Sequence, residues 1–139
     1  MNEKELFHAA LRARDAAYAP YSGFAVGAAL LAEDGTIYTG CNVENAAYSP
    51  SNCAERTAFF KAISEGERHF TRIAIVGGKS GTLPREVCPP CGVCRQVMAE
   101  FCDPDRFEIL LGSPEKYQKF LLKELLPQSF GAAQLTEMN

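Results

Sequence analysis

Three cysteines and one glutamate carry the chemistry that this sequence suggests. Cys53 and Glu55 stand in the short run CAE, and Cys91 and Cys94 stand in the run PCGVC farther along the chain. Cysteines at Cys-x-x-Cys spacing can both bind one cation across a tight turn or a first helical turn. With a third thiolate they make three protein ligands, which leaves the fourth tetrahedral position of zinc free for water. This layout is typical of a catalytic zinc site, because a structural site uses four protein ligands.

Both cysteine segments stand where a loop is expected to enter a helix. Ser51 and Asn52 are the candidates for the N-cap before Cys53. A helix N-terminus carries partial positive charge and free N–H groups, which stabilise thiolates and lower the pKa of a thiol. Glu55 follows Cys53 by two residues and can lie beside the water without being a ligand. We therefore expect Glu55 to shuttle protons, first as general base and then as general acid.

Three thiolates give zinc a net negative charge, which something positive should offset. Arg56 lies one helical turn after Cys53, and Arg95 directly follows Cys94. Either guanidinium could donate charge-assisted hydrogen bonds to the sulfurs. We favour Arg56, because it lies on the helix that carries the first ligand.

Helices and strands alternate along the chain. The expected elements are a helix over 3–18, a strand over 24–32, a hairpin turn over 33–36, a strand over 37–43, a helix over 53–65, a strand over 72–76, a long loop over 77–90, a helix over 91–102, a strand over 107–111, and over 117–126 either a strand with a short helix or one longer helix. This order indicates an α/β layer fold that begins with a hairpin.

Composition limits the classes of function. The chain has 139 residues, 47% of them hydrophobic, and a net charge of −3. These values predict one domain over 1–139, without the basic surface of a nucleic-acid binder. No apolar run approaches the roughly 20 residues of a membrane helix, and the charged N-terminus has no signal core. We expect a soluble, cytoplasmic protein with no stable nucleic-acid partner and no membrane. Its six cysteines then favour metal binding over disulfides.

The motifs resemble the zinc deaminases of nucleobases, whose signature is His-x-Glu with Pro-Cys-x-x-Cys and which also use an all-cysteine ligand set. Cys53 stands where that signature has histidine, as in the small, homotetrameric cytidine deaminases. The stretches that are similar to this family are YAPYSGFAVGAAL (18–30), GCNVENAAY (40–48), CAERTA (53–58), PCGVCRQV (90–97) and ELLP (124–127) followed by Phe130.

The resemblance implies a three-layer α/β/α fold with a central mixed five-stranded sheet. It implies zinc-dependent hydrolytic deamination of cytidine and deoxycytidine to uridine and deoxyuridine plus ammonia, in pyrimidine salvage. One zinc ion per chain would be bound by Cys53, Cys91 and Cys94, with Glu55 as the catalytic residue. A homotetramer would share its active sites between subunits.

The resemblance also implies a set of substrate contacts. Asn42 and Glu44 would hydrogen-bond the ribose hydroxyls, which suits an amide and a carboxylate. Phe24 would line the base pocket, and Ala54 would contact the base edge through its backbone. The remaining contacts, at or from a neighbouring subunit, would be Ala46, Tyr48 and Phe130. Taken as residues alone, the two phenylalanines could equally be core, and Asn42 and Glu44 could be turn residues.

Cys88 leaves the ligand set open, because 88, 91 and 94 form a double Cys-x-x-Cys. A proline before Cys91 favours the pair Cys91 and Cys94. If Cys88 were a fourth ligand, the chain would be a non-catalytic binding module with a structural zinc. An iron–sulfur run would need a further cysteine at the position of Met98. A deaminase of a cytosine-bearing antibiotic is the remaining alternative. Two other thiols, at 41 and 102, are expected to be small buried apolar residues.

Overall fold

The protein is described by a computed structural model covering residues 2–84 and 86–136. Its elements are α1 (Glu3–Arg14), β1 (Phe24–Ala32), β2 (Ile37–Cys41), α2 (Ala54–Ser64), β3 (Phe70–Lys79), α3 (Gly92–Phe101), β4 (Glu108–Gly112), β5 (Tyr117–Leu121), α4 (Leu122–Leu125) and α5 (Ala132–Thr136). The strands form one five-stranded sheet in the order β2-β1-β3-β4-β5. Only β3 and β4 pair in parallel, and the other three pairs are antiparallel, so the sheet is mixed.

Successive residues of β1 point to opposite faces of the sheet and enter different cores. Ala28 and Leu30 pack with residues of α2 and α3, among them Phe59 and Met98. The alternate positions, such as Ala29, pack with α1 on the other face. Because β1 is buried on both faces, its sequence is a continuous apolar run. The three-layer α/β/α arrangement with a mixed five-stranded sheet, expected from the resemblance, is confirmed.

Helix α1 is shorter than the periodicity suggests. It begins after Asn2, whose Oδ1 accepts a hydrogen bond from the Glu5 amide at 2.8 Å, and it ends at Arg14. The expectation that it continues to residue 18 is wrong. Tyr18 instead pairs with Val43 as an isolated bridge, so a long-range contact outweighs the local helical pattern.

Strand lengths follow from pairing partners that the sequence does not show. The hairpin turn forms as expected, with Gly35 at a φ of +94°. Strand β2 ends at Cys41, two residues early. Strand β3 runs well beyond the expected segment, because its antiparallel pairing with β1 continues to the pair Phe24 and Lys79. The long loop therefore begins at residue 80.

Both cysteine-bearing helices begin one residue after their first cysteine. Cys53 is the N-cap of α2, so the expectation of Ser51 or Asn52 as the cap is wrong. Cys91 is the N-cap of α3, and its sulfur accepts from the Cys94 amide. Over 117–126 the strand followed by a short helix is correct, because β5 pairs with β4 at the sheet edge. Helix α5 is an element that the sequence patterns did not predict.

Two glycines let helices approach the sheet closely. At Gly27 a Cβ would lie 2.1 Å from the carbonyl oxygen of Ala10 in α1. At Gly40 it would lie 2.4 Å from the carbonyl oxygen of Ala54, at the start of α2. The backbone of α2 thus rests directly on β2. None of the helices within 2–84 and 86–136 is long and apolar enough to cross a membrane.

Candidate metal centre and active site

The N-termini of α2 and α3 bring three thiols together. Cys53 and Cys91 cap the two helices, and Cys94 lies buried in the first turn of α3. The three Sγ atoms all lie within 4.8 Å of one another. The Sγ atoms of Cys53 and Cys91 are 3.7 Å apart.

This spacing fits zinc. Two sulfurs bound to tetrahedral zinc at about 2.3 Å stand about 3.8 Å apart. Thiolates are soft ligands, which suit zinc better than calcium or magnesium. Cys88 does not belong to the cluster of three thiols found among the described residues. Burial, with the negative charges of Glu55 and Cys53, raises the pKa of Cys88 to about 11, so this thiol resists becoming a thiolate.

The three thiols differ in their readiness to lose a proton. The Cys94 thiol beside Cys53 lowers the pKa of Cys53 to about 5, and hydrogen bonds from Arg56 and Cys91 act in the same direction against burial. The same contact with Cys53, together with burial, raises the pKa of Cys94. The site therefore favours a thiolate at Cys53, which is the form that binds metal.

Arg56 and Arg95, near the starts of α2 and α3, make different contacts. Arg56 donates from Nη2 to the Cys53 sulfur at 3.3 Å. Arg95 contacts no sulfur: its Nε donates to the Pro90 carbonyl and its Nη1 to the Leu125 carbonyl, both at 2.8 Å. The expectation that Arg95 could serve the sulfurs is wrong, because its side chain leaves the helix toward α4. Arg95 instead fastens the turn before Cys91 to the C-terminal part of the chain.

Glu55 is a buried carboxyl group with only 4% of its surface exposed. Burial raises the pKa of Glu55 to about 7, and the Cys53 charge adds to the increase, while its own backbone amide lowers it. A carboxyl group with such a pKa can both hold and release a proton near neutral pH, as general acid–base chemistry requires. Its place in the first turn of α2 puts it beside the thiols.

A cavity of about 500 Å³ opens beside two of the three thiols, Cys53 and Cys91. Its lining comprises Val26, Asn42, Glu44, Tyr48, Ser49, Ser51, Asn52, Cys53, Ala54, Glu55, Arg56, Cys88, Pro89, Cys91 and Val93. Four of the expected substrate contacts are therefore in this cavity: Asn42, Glu44, Tyr48 and Ala54. Tyr48 is 76% exposed and has a φ of +62°, a backbone conformation that is costly for a tyrosine.

Three expected substrate contacts lie outside this lining. Phe24 lines a different cavity of about 550 Å³. Gly77 lies between the two cavities, since a Cβ there would be 2.6 Å from the Cys88 sulfur and 3.1 Å from the Phe24 ring. Ala46 is exposed, and Phe130 is 58% exposed with its carbonyl held by a hydrogen bond from Gln96.

Asn42 and Glu44 make defined contacts with the chain. Asn42 accepts from the Val26 amide and donates to the Phe24 carbonyl, each at 2.8 Å. Glu44 accepts from the Ser22 hydroxyl and amide. The Ser22 hydroxyl also contributes most to lowering the pKa of Glu44. A carboxylate and a carboxamide each have further hydrogen-bonding positions, so both can still meet a ligand.

Two residues that the sequence patterns did not single out shape the site. Ser22, in a turn over 20–22 that begins at Pro20, orients Glu44 without itself lining the cavity, and a serine in a proline-containing turn was the available signal. Asn52 lines the cavity and donates to the Thr57 hydroxyl at 3.2 Å, whereas its sequence position indicated a helix cap. Of the remaining thiols, Cys102 is buried as expected, but Cys41 is only half-buried. All six cysteines are free, as the argument against disulfides predicted.

Comparison with known proteins identifies relatives along the whole chain. Residues 1–109 match the family model described as the cytidine and deoxycytidylate deaminase zinc-binding region. A cytidine deaminase of Sporosarcina psychrophila is 48% identical over 136 residues, covering 98% of this chain and 96% of that protein. One of Halalkalibacterium halodurans is 46% identical over 138 residues, covering 99% of this chain and all of that protein, 100%.

Solved structures agree with these relatives. The crystal structure of a cytidine deaminase from Burkholderia pseudomallei has a TM-score of 0.84 and 46% identity, covering 94% of this chain and 100% of the other. That from Mycobacterium tuberculosis has a TM-score of 0.77 and 38% identity, covering 94% and 98%. By its family match, its relatives and its fold, the chain belongs to the cytidine and deoxycytidylate deaminase zinc-binding family.

Proposed function

We propose that this chain is a cytidine deaminase that converts cytidine and deoxycytidine, with water, to uridine and deoxyuridine plus ammonia, in pyrimidine salvage. The observation that carries the proposal is a cluster of three thiols, two of which, Cys53 and Cys91, line one cavity together with the buried Glu55. Zinc, one ion per chain, is the cofactor. Cys53, Cys91 and Cys94 would hold it, and when bound there it supplies Lewis-acid activation of water.

Glu55 carries the proton transfers in this proposal. Its carboxylate takes a proton from the attacking water and delivers it to N3 of the cytosine ring. With the water oxygen now bonded to C4, the carboxylate takes the remaining hydroxyl proton and passes it to the amino group, so that the C4–N bond breaks, ammonia departs and the carboxylate is restored. Burial supports this role, since it lets the carboxyl group hold a proton near neutral pH. Arg56 offsets negative charge at the sulfurs through its contact with Cys53.

The cavity has groups that suit a nucleoside. Asn42 and Glu44 offer a carboxamide and a carboxylate to the ribose hydroxyls, and both side chains are already oriented by hydrogen bonds to the chain. The backbone of Ala54 lies at the cavity wall for the base edge. Phe24 would close the pocket from the adjoining cavity. This orientation of the ribose-binding groups favours a simple nucleoside over a cytosine-bearing antibiotic.

We further propose a cytoplasmic homotetramer built from a single domain over 1–139. Two large exposed apolar residues in the cavity lining, Tyr48 and Val93, support subunit contacts there, and Phe130 is a further exposed apolar side chain. In such an assembly Phe130 would stack on the base in a neighbouring active site, and Ala46 and Tyr48 would lie at the same boundary. The active site would then need the oligomer.

The test uses Glu55→Gln, which keeps the size of the side chain and removes the titrating carboxyl group. We expect about one zinc per chain and a loss of turnover of at least a thousandfold in an ultraviolet assay on cytidine. Glu65→Gln, at the exposed end of the same helix, is the matched control and should keep full activity. Substantial activity in Glu55→Gln would show that the proton-transfer role is wrong.

Two further measurements separate this function from its rivals. Removing zinc with a chelator should abolish turnover, and adding zinc should restore it. Cobalt substitution should show three sulfur ligands with an exchangeable position, whereas four sulfurs would indicate a structural site. A rate on a cytosine-bearing antibiotic above that on cytidine would overturn the choice of substrate.

A further inference from the structure

Arg14, at the end of α1, has a half-buried side chain that donates to four backbone carbonyls. Its Nε contacts the Ala25 oxygen at 2.8 Å, its Nη1 contacts the Thr82 oxygen at 2.7 Å, and its Nη2 contacts the oxygens of Gly78 at 2.9 Å and Lys79 at 3.0 Å. The planar guanidinium has five N–H donors in a fixed fork, so one side chain can hold several acceptors in a defined arrangement.

The four carbonyls belong to three segments that meet at one corner of the sheet. Ala25 lies in β1, Gly78 and Lys79 end β3, and Thr82 lies in the turn that follows. Ala25 and Gly78 are partners in the β1–β3 ladder. We call residues 79–84 the β3 turn. Arg14 therefore fastens this turn to the last pairs of the ladder, where strand pairing ends.

Other contacts hold the β3 turn in the same place. The Ser80 amide donates to the Gly23 carbonyl at 2.8 Å. Pro84 lies against the backbone of Gly78, since a Cβ at Gly78 would be 3.4 Å from the Cα of Pro84. The Thr82 amide and hydroxyl both donate to the Lys79 carbonyl and close the turn itself, at 3.1 and 2.6 Å. The turn thus folds back over the start of β1, and Arg14 adds the hydrogen bonds that connect it to β1 and to the end of β3.

Phe24 is the residue that this corner surrounds. The carbonyls on either side of it, those of Gly23 and Ala25, accept from the Ser80 amide and from Arg14. The Phe24 carbonyl accepts from Asn42 at the opposite strand edge. Its aromatic side chain lines the cavity of about 550 Å³ together with Thr82, Leu83 and Pro84 of the β3 turn and other residues. The position of the Phe24 ring relative to this turn consequently depends on the Arg14 contacts.

We propose that Arg14 is a positioning residue for substrate binding, which holds Phe24 and the β3 turn as one wall of the site. The inference rests on the proposed function, because it takes Phe24 to be a wall of the nucleoside pocket. Without the guanidinium, four carbonyls lose a donor, and the β3 turn is held against β1 more weakly, by contacts such as those of the Ser80 amide and Pro84. The thiols and Glu55 stand on α2 and α3, which Arg14 does not contact through these bonds. A wall that binds ground state and transition state alike changes KM rather than kcat.

Arg14→Gln and Arg14→Lys test the proposal in the zinc-loaded enzyme. Gln cannot span the four acceptors, and Lys keeps the charge but has a single nitrogen. With cytidine as substrate, we expect KM to rise about five- to twentyfold in Arg14→Gln and less in Arg14→Lys, with kcat within twofold. Zinc content should stay at that of the parent chain. Arg12→Gln, exposed on the same helix, is the matched control and should leave KM unchanged.

Amide hydrogen exchange tests the role of Arg14 without a measurement of turnover. The amides of Ser80 and Thr82 should exchange faster in both Arg14 variants, while amides of α2 keep their protection. An unchanged KM in a folded Arg14→Gln, or a fall in kcat with zinc loss, would overturn the proposal. If Arg14→Gln does not fold, Arg14→Lys decides the question by the same criteria. A parent chain inactive on cytidine would instead refute the proposed function, and exchange would still test whether Arg14 holds the turn.

Discussion

Replacing Gly40 with alanine should impair the active site without touching any of its side chains. Gly40 lies in β2, directly beneath the first turn of α2, which carries Cys53 and Glu55. Its φ lies outside the left-handed region, so alanine is compatible with the local backbone. The effect of the substitution should therefore be steric.

The size of the effect follows from the contacts of the added Cβ. It would lie 2.4 Å from the Ala54 carbonyl oxygen and 2.6 Å from the Ala58 amide nitrogen, where an ordinary contact is at least 3.4 Å. Both atoms are backbone, so no side-chain rotation relieves the overlap. The start of α2 must move away from β2 by about 1 Å, at a cost of about 1–3 kcal/mol. A displacement of that size at a catalytic group can reduce the rate about a hundredfold.

We expect Gly40→Ala to lower kcat for cytidine about a hundredfold, because Glu55 is buried and moves with the helix backbone. Zinc content should remain near one per chain, because a cysteine side chain can rotate to follow its metal. Thermal unfolding should show a midpoint lower by about 3–10 °C. The control is Gly131→Ala, whose Cβ would meet, among the residues that the structure describes, only the flexible Gln134 side chain at an ordinary 3.7 Å.

Wild-type kcat in a folded Gly40→Ala variant would refute the reasoning, since it would mean that α2 can shift without disturbing Glu55. A comparable loss in Gly131→Ala would also refute it, because the effect would then not depend on the overlap with α2.

Three other substitutions test individual contacts. Arg56→Gln, which removes the hydrogen bond to the Cys53 sulfur, should lower zinc affinity about 10–100-fold in chelator competition, and unchanged affinity would contradict a role at the sulfur. Arg95→Met should reduce stability by about 1–3 kcal/mol in thermal unfolding, because two backbone carbonyls lose their donor. The Lys119 ammonium holds the pKa of Glu3 below its ordinary value of 4.5, and the Tyr117 hydroxyl makes a smaller contribution to the same lowering. The ion pair between Lys119 and Glu3 therefore stabilises the fold above that pH, and its contribution is lost as the pH falls through the lowered pKa. Glu3→Gln should therefore lower the urea midpoint at pH 7, and this loss should shrink as the pH falls through the lowered pKa of Glu3; a loss that does not change with pH would contradict the ionic origin.

The sequence predicted local structure where the interacting residues are close along the chain. The Cys-x-x-Cys spacing spans a single turn, and the proline before Cys91 favoured Cys91 and Cys94 as a pair, although the spacing alone left Cys88 as an alternative. Gly35 and Gly66 marked a hairpin turn and the end of α2, and both adopt positive φ. The cap of α2 was misjudged because a cysteine is an uncommon N-cap, and propensity favoured the neighbouring serine and asparagine.

These sequence patterns did not predict which residues pair when they lie far apart along the chain. Strand β3 is longer than its apolar run because β1 supplies partners as far as Lys79. Helix α1 stops early because Tyr18 pairs with Val43 across the chain. In both cases a tertiary contact outweighs the local secondary-structure propensity, because the propensity contributes less free energy than the packing of a strand pair.

By itself, the sequence determined the candidate chemistry: the types and spacing of the thiols, the carboxyl group beside them and the α/β order of the elements. The sequence favoured Arg56 over Arg95 as the partner of a sulfur, but only the tertiary structure showed that the Arg95 side chain donates to the carbonyls of Pro90 and Leu125 instead. The tertiary structure also separated Cys88 from the thiol cluster and gave Arg14 its carbonyl partners, up to 68 residues away. The reason is physical. Spacing within one turn fixes neighbours through backbone geometry, whereas distant partners depend on which groups the packed sheet and helices bring within hydrogen-bonding distance.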